Sequence, residues 1–180
     1  PHPAPDDPGR GGCEHPAVRM SGIDLSFVSG KEKFNYRVCA VILSEGKLLA
    51  MHDERSPYYY LPGGRVQMGE TAEDAVVREV QEELAVTPEI IRPLWLNQAF
   101  FTEDVDGLHY HELCLYFLMD ISHTDLLSKG EKFTLLERHH THKFEWLPFE
   151  RLEREYFYPL FLKKEIFHLP EALTLRTELE

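Results

Sequence analysis

The residues of this chain best placed to do chemistry are three glutamates, Glu79, Glu82 and Glu83. On a helix, positions i, i+3 and i+4 share one stripe, so the three carboxylates would stand side by side. Like charges at such spacings oppose helix formation by roughly 0.2–0.5 kcal/mol per pair. No lysine follows at i+4 to relieve them. From Glu70 to Val86 there are six acids (Glu70, Glu73, Asp74, Glu79, Glu82, Glu83) and one base, Arg78, a local charge of −5. A solvated acidic face is the plain explanation of such a cluster. The sharper one is a divalent cation: hard oxygen donors suit Mg²⁺ or Mn²⁺, which removes the repulsion and attracts phosphate oxygens.

That chemistry needs a helix and a loop to position it. Thr71–Leu84 reads as the helix, with Thr71 as N-cap, Asp74 three residues on, and Glu73 and Asp74 suited to the positive end of the dipole. Val76, Val77, Val80 and Leu84 form an apolar stripe beside the acidic one. Upstream, Pro62-Gly63-Gly64 stops a short aromatic strand, Tyr58–Leu61, and delivers backbone shortly before the helix. Ile23–Val28 and the continuous β-favouring run Tyr36–Leu43 precede it, and Glu45-Gly46 turns the latter into Lys47–His52 as a hairpin. Leu94–Phe101 and Tyr110–Asp120 follow as strands, then a long polar connection over 123–138, a strand near Lys143–Trp146, and helices at Phe149–Glu155 and Pro159–Phe167. The class expected is α/β or α+β, a mixed β-sheet covered by helices.

Gly64, five residues, Glu70, seven residues and then Arg78-Glu79-Val80-Gln81-Glu82-Glu83-Leu84-Ala85-Val86 resembles the Nudix box at its six fixed Gly, Glu and Arg positions. The flanking hairpin, the Leu-Pro-Gly-Gly approach and the later Phe-Glu-Trp-Leu-Pro segment extend the likeness to roughly residues 34–155. One position departs: Ala85 stands where the family usually has Gly. If the backbone there needs φ > 0, Ala costs about 1 kcal/mol.

The resemblance implies an α/β/α sandwich and a Nudix pyrophosphohydrolase acting on a nucleoside diphosphate derivative, such as a nucleoside triphosphate, an ADP-ribose-like compound or a nucleotide sugar. It implies that Glu79, Glu82 and Glu83 hold Mg²⁺ or Mn²⁺ with a backbone carbonyl of Gly63 or Gly64. It also implies that Arg78 pairs with Glu70 to hold loop against helix. Glu79 is the first candidate for general base. The family also draws its base from a later loop, where Glu131 and Glu137 are available. A homodimer is compatible with the likeness.

For the rest of the substrate the sequence offers Arg37 for a phosphate, Tyr58 and Tyr60 for stacking on a base, and His111 with Phe100, Phe101 and Tyr110 along one cleft. Each has an ordinary reading as core or surface. His139, His140 and His142 read as loop histidines rather than a transition-metal site. Two other readings compete. An isopentenyl-diphosphate isomerase-like enzyme would want a cysteine at the metal site, which Cys39 and Cys114 in mid-strand do not encourage. A catalytically silent Nudix-like binding module would have lost box glutamates, which this chain keeps.

The bulk properties frame these readings. With 180 residues the chain suits a single domain over 21–180, preceded by a Pro/Gly-rich extension over 1–20 with Met20 as a candidate start. Its net charge of −12 disfavours nucleic acid and anionic membranes as partners. Three widely spaced cysteines without a C-x-x-C pair argue against a disulfide framework. A cytoplasmic protein is expected, since neither a membrane span nor a signal-peptide pattern appears.

Overall fold

The computed structural model describes residues 22–180, so the expected extension, with Met20 and Cys13, lies outside the described residues. The central strand is β2 (Glu32–Ser44), flanked in sequence by β1 (Ser26–Ser29) and β3 (Lys47–His52). Side chains alternate across a strand, and β2 is apolar on both sides. Val38, Ala40 and Ile42 enter one core, while Cys39 and Val41 enter the other. Burial on both faces is why the run reads as continuous hydrophobic sequence. The β2–β3 hairpin closes through Glu45 (φ 48°) and Gly46 (φ 73°), the pair of left-handed residues that a two-residue turn matched to strand twist requires.

The remaining elements are β4 (Gly63–Arg65), α1 (Ala72–Leu84), β5 (Glu89–Thr102), β6 (His109–Asp120), β7 (Lys132–Glu137), β8 (His140–Pro148), α2 (Phe149–Leu152), α3 (Leu162–Glu165) and β9 (Thr174–Leu179). The sheet order is β7-β8-β3-β2-β6-β5-β9, with β1 and β4 also pairing with β2. The β2–β6 and β5–β9 pairs are parallel and the others antiparallel, so the sheet is mixed as expected. Helix α1 closes the first core through Ala72, Ala75, Val76, Val80 and Leu84. Leu152, Phe157, Leu162 and Ile166, in and around α2 and α3, close the second. Helices thus lie on both faces, though the second layer is slight. Among the described residues no helix is long and apolar enough to cross a membrane.

Several boundaries differ from the sequence reading. The polar connection 123–138 contains a 3₁₀ turn at Leu126–Lys129 and then strand β7. That strand alternates exposed and half-buried residues, with Phe133 and Leu135 on the first core and Lys132, Thr134 and Leu136 outward, so no run of buried residues marks it in the sequence. Tyr58–Leu61 forms only isolated bridges, Tyr59 to Phe157 and Tyr60 to Met51, before the ladder begins at Gly63. Pro62 has no N–H to give a ladder, and its carbonyl instead accepts from Ala40 N. Strand β1 starts at Ser26 rather than Ile23, and the two late helices shrink to Phe149–Leu152 and Leu162–Glu165. Strand β9 has no counterpart in the sequence reading; it is held by parallel pairing to β5, a contact 79 residues away in sequence where Gln98 Nε2 meets Thr177 Oγ1.

Candidate active site

Helix α1 starts as its sequence requires: Thr71 Oγ1 accepts a 3.1 Å hydrogen bond from Asp74 N. It ends on Ala85, which is left-handed (φ 56°, ψ 27°) and whose N–H donates to the Gln81 carbonyl. The substitution of Gly by Ala thus falls where glycine is favoured, at a cost of about 1 kcal/mol. The apolar stripe turns toward the sheet, which carries the neighbouring glutamate stripe to the sheet's Gly63-Gly64 edge.

There the carboxylates meet bare backbone. Glu83 is 6% exposed; its Oε1 accepts a 3.2 Å bond from Gly63 N, and its Oε2 is buried without a partner. Burial, then the charge of Glu79, pushes the Glu83 carboxyl well above the usual carboxylate range, and the Gly63 N–H only partly opposes this. Burial likewise pushes Glu79 up to about 7, against the pull of Arg78 and with the help of Glu82 and Glu137. The glycines are dictated by contact. A Cβ on Gly64 would run into the Glu79 carboxylate, and one on Gly63 into the Val38 carbonyl.

Arg78 and Glu70 form the predicted pair. Arg78 Nε and Nη2 reach the two Glu70 oxygens at 2.6 and 3.1 Å, and Nη2 also reaches the Arg65 carbonyl at 3.0 Å. This fork ties helix, loop and β4 together. Arg78 Nη1 turns the other way, to Glu79 at 2.8 Å and Glu82 at 3.4 Å. The pair is no surface decoration, since Glu70's side chain is 1% exposed and Arg78's 11%.

Of the two later acids, one lies on the strand end near the site, since β7 packs against α1. Glu137 ends β7 and raises the carboxyls of both Glu79 and Glu83 electrostatically. Glu131 precedes β7, six residues or about 20 Å along the strand. It pairs there with Lys47 at 2.5 Å and is 75% exposed. The histidine cluster also divides. His140 and His142 are no loop residues: both lie on β8, His140 exposed and His142 buried with Nε2 2.8 Å from Glu137 Oε2, while His139 sits in the turn before them.

The other substrate candidates scatter. Arg37 faces the second core, opposite Arg65 of β4 in register; burial works against its charge, and Glu112, Cys39, Cys114 and Tyr116 together more than offset that. Its Nε is buried without a partner. Tyr60 hydroxyl donates to Asp53, and Tyr58 packs edge-on against Tyr60, Tyr156 and Tyr158. Tyr59 faces away and donates to Glu145. His111 is exposed, paired in register with Phe34, four residues (roughly 13 Å) along the sheet from the level of Gly64. It packs on Phe100 with the rings tilted by 31°, whereas Tyr110 stacks with Phe101 on the opposite face, so these four do not line one cleft.

The donor set at α1 fits a hard divalent cation: three carboxylates, one with an unpaired buried oxygen, beside glycine backbone that no side chain obstructs. Among the described residues, the group whose ligand atoms all lie within 4.8 Å of one another is a different one, Glu89, Asp120 and His123. That group fits less well, because Asp120 already accepts from the N–H and hydroxyl of Ser122, and His123 Nε2 is engaged by the Thr87 carbonyl.

Comparison with known proteins bears on the family and the fold. The NUDIX domain family model matches residues 33–166. An ADP-ribose pyrophosphatase of Methanocaldococcus jannaschii is 30% identical over 110 residues, 59% of this chain and 52% of that protein. The chain spans about half the length of that curated relative and less of the others it matches. Among solved structures, a MutT protein from Bacillus halodurans superposes with a TM-score of 0.55 at 16% identity, covering 81% of this chain and 89% of that one. A MutT protein from Methanosarcina mazei gives 0.51 at 22%, covering 74% and 91%. At such identities the structures speak for the fold alone.

Proposed function

The chain belongs to the Nudix family, and from that premise we propose that it is a divalent-cation-dependent hydrolase. It splits the diphosphate linkage of a nucleoside diphosphate derivative, releasing a nucleoside monophosphate and the phosphorylated remainder. The observation that carries this reading is the cradle of Glu79 and Glu83 against Gly63-Gly64, with Glu82 beside them on Arg78 and Glu83 Oε2 buried and unpaired. A structural protein gains nothing from a buried carboxylate oxygen without a partner, which destabilises the fold.

Glu79, Glu82 and Glu83, with a carbonyl of Gly63 or Gly64, hold the Mg²⁺ or Mn²⁺. When bound, such a cation screens the diphosphate, lowers the pKa of water and stabilises charge on the leaving oxygen. Arg78 and Glu70 lock the loop to the helix so that the glutamates stay in register. Glu137 takes the proton from the attacking water, because it ends the strand that packs on α1, acts electrostatically on both Glu79 and Glu83, and is not bonded by Arg78. Arg37, whose Nε is buried without a partner on the face of β2 turned away from α1, and Arg65, opposite it in register, offer positive charge to phosphates of a substrate lying over that face. Tyr58 offers an aromatic edge for a base. We assign no substrate contact to His111.

The test is hydrolysis with Mg²⁺ over a panel of nucleoside triphosphates (oxidised ones included), ADP-ribose, dinucleoside polyphosphates, nucleotide sugars and NADH. A nucleoside monophosphate is expected from at least one, and is lost in Glu83→Gln. No product from any of them overturns the proposal.

A further inference from the structure

The fold accounts for most of the histidines as surface residues, but His142 is different. Only 6% of it is exposed, its ring sits against Phe144 at 6.4 Å, and one nitrogen, Nε2, has a partner, Glu137 Oε2 at 2.8 Å. The other, Nδ1, is buried and unpaired. A position that served only to fill the first core would be better filled by an apolar side chain, since a buried polar group without a full set of partners costs stability. Strand register explains how the contact arises. Leu135 stands opposite His142 and Glu137 opposite His140, so Glu137 lies diagonally across from His142 at the end of the β7–β8 ladder. Without a tie, a carboxylate at a strand end samples several rotamers. With one, a single oxygen is committed and the second is free for a reacting group.

We propose that His142 is the positioning residue for Glu137: a buried imidazole whose Nε2–H donates to one carboxylate oxygen and so holds Glu137 toward Glu79 and Glu83. An ionised carboxylate only accepts, so the bond requires the proton on Nε2. In the neutral ring Nδ1 is then a bare acceptor, which is cheaper to leave unpaired than a buried charged donor. His142 touches no substrate. It acts through Glu137, as groups behind a reacting residue commonly do, and loss of such support typically lowers activity about 10–100-fold. The inference rests on the hydrolase reading above.

Two variants and one spectrum test it. His142→Phe keeps the volume and removes the donor; His142→Gln keeps an N–H donor. With the best substrate of the panel, kcat is expected to fall about 10–100-fold in His142→Phe with KM little changed, and to recover largely in His142→Gln. In a Glu137→Gln background, His142→Phe is expected to add little further loss, because the two act as a unit. Long-range ¹H–¹⁵N spectra of the imidazoles should show His142 as the Nε2–H tautomer, shifted by Glu137→Gln and absent from both His142 variants. Equal losses in both variants, full additivity with Glu137→Gln, or an Nδ1–H tautomer overturn the inference while leaving the hydrolase reading intact. A wild-type protein that hydrolyses nothing overturns that reading and the positioning role with it. Should His142→Phe fail to fold, His142→Gln, the Glu137→Gln variant and the tautomer spectrum decide alone.

Discussion

Removing a carboxylate from the proposed active centre is expected to stabilise this protein when no metal is supplied. Glu79's side chain is 14% exposed, and burial raises its carboxyl from the ordinary 4.5 to about 7. That shift corresponds to about 3 kcal/mol against the ionised form. The sign follows from proton linkage. The folded chain holds this proton more tightly than the unfolded chain, so the contribution to stability is fully present below about pH 4.5 and is lost as pH rises through about 7. Glu83 pushes in the same direction. Glu79→Gln is neutral at every pH and keeps an oxygen to accept from Arg78. In chelator at pH 8 it should therefore be more stable than the wild type by about 1–3 kcal/mol, a Tm about 3–10 °C higher for a chain of this size. At pH 4.5 the gap should close. Saturating Mg²⁺ should raise the wild-type Tm more than that of the variant, since binding to the folded state alone stabilises it. Thermal melts followed by circular dichroism across pH 4.5–8 provide the assay. A wild type at least as stable as the variant at pH 8 in chelator, or a gap that does not change with pH, refutes the reasoning.

Four further outcomes follow from particular contacts. Ala85→Gly relieves a left-handed alanine and should add up to about 1 kcal/mol in urea unfolding, with turnover unchanged. Arg78→Met leaves Glu70 buried without its partner and should lower stability by about 3–5 kcal/mol, measured the same way. Gly64→Ala puts a methyl group into the Glu79 carboxylate; kcat should fall about 100-fold while the far-UV spectrum stays native. Glu137→Gln should lower kcat and Glu131→Gln should leave it unchanged, because Glu137 acts on the helix carboxylates while Glu131 pairs with Lys47; equal effects would contradict the placement.

The helix and its loop were legible in the sequence because their signals are local. Thr71 at the N-cap, the apolar stripe from Val76 to Leu84 and the acids beside it lie within 14 consecutive residues, where a 3.6-residue period decides which side chains share a face. The spacing of Gly64, Glu70 and Arg78 was readable for the same reason, and the Arg78–Glu70 fork spans only eight positions. The unusual residue Ala85 was readable as a departure, and φ 56° gives it a physical meaning.

What the tertiary structure alone decided are contacts between residues far apart in sequence. Glu131 and Glu137 look alike in the sequence, and the run of β7 past α1 separates them, sending one to Lys47 and the other to the glutamates. His142 looked like one of three loop histidines until strand pairing buried it behind Glu137. His111, Phe100, Phe101 and Tyr110 looked like one aromatic group, and the β5–β6 register sorts them onto two faces. Strand β9 carries little apolar pattern of its own and exists through its pairing with β5. Helical faces and caps depend on neighbours within a few residues, so a sequence can announce them. Register, burial and the meeting of distant charges depend on how whole strands align, and no local pattern contains that information.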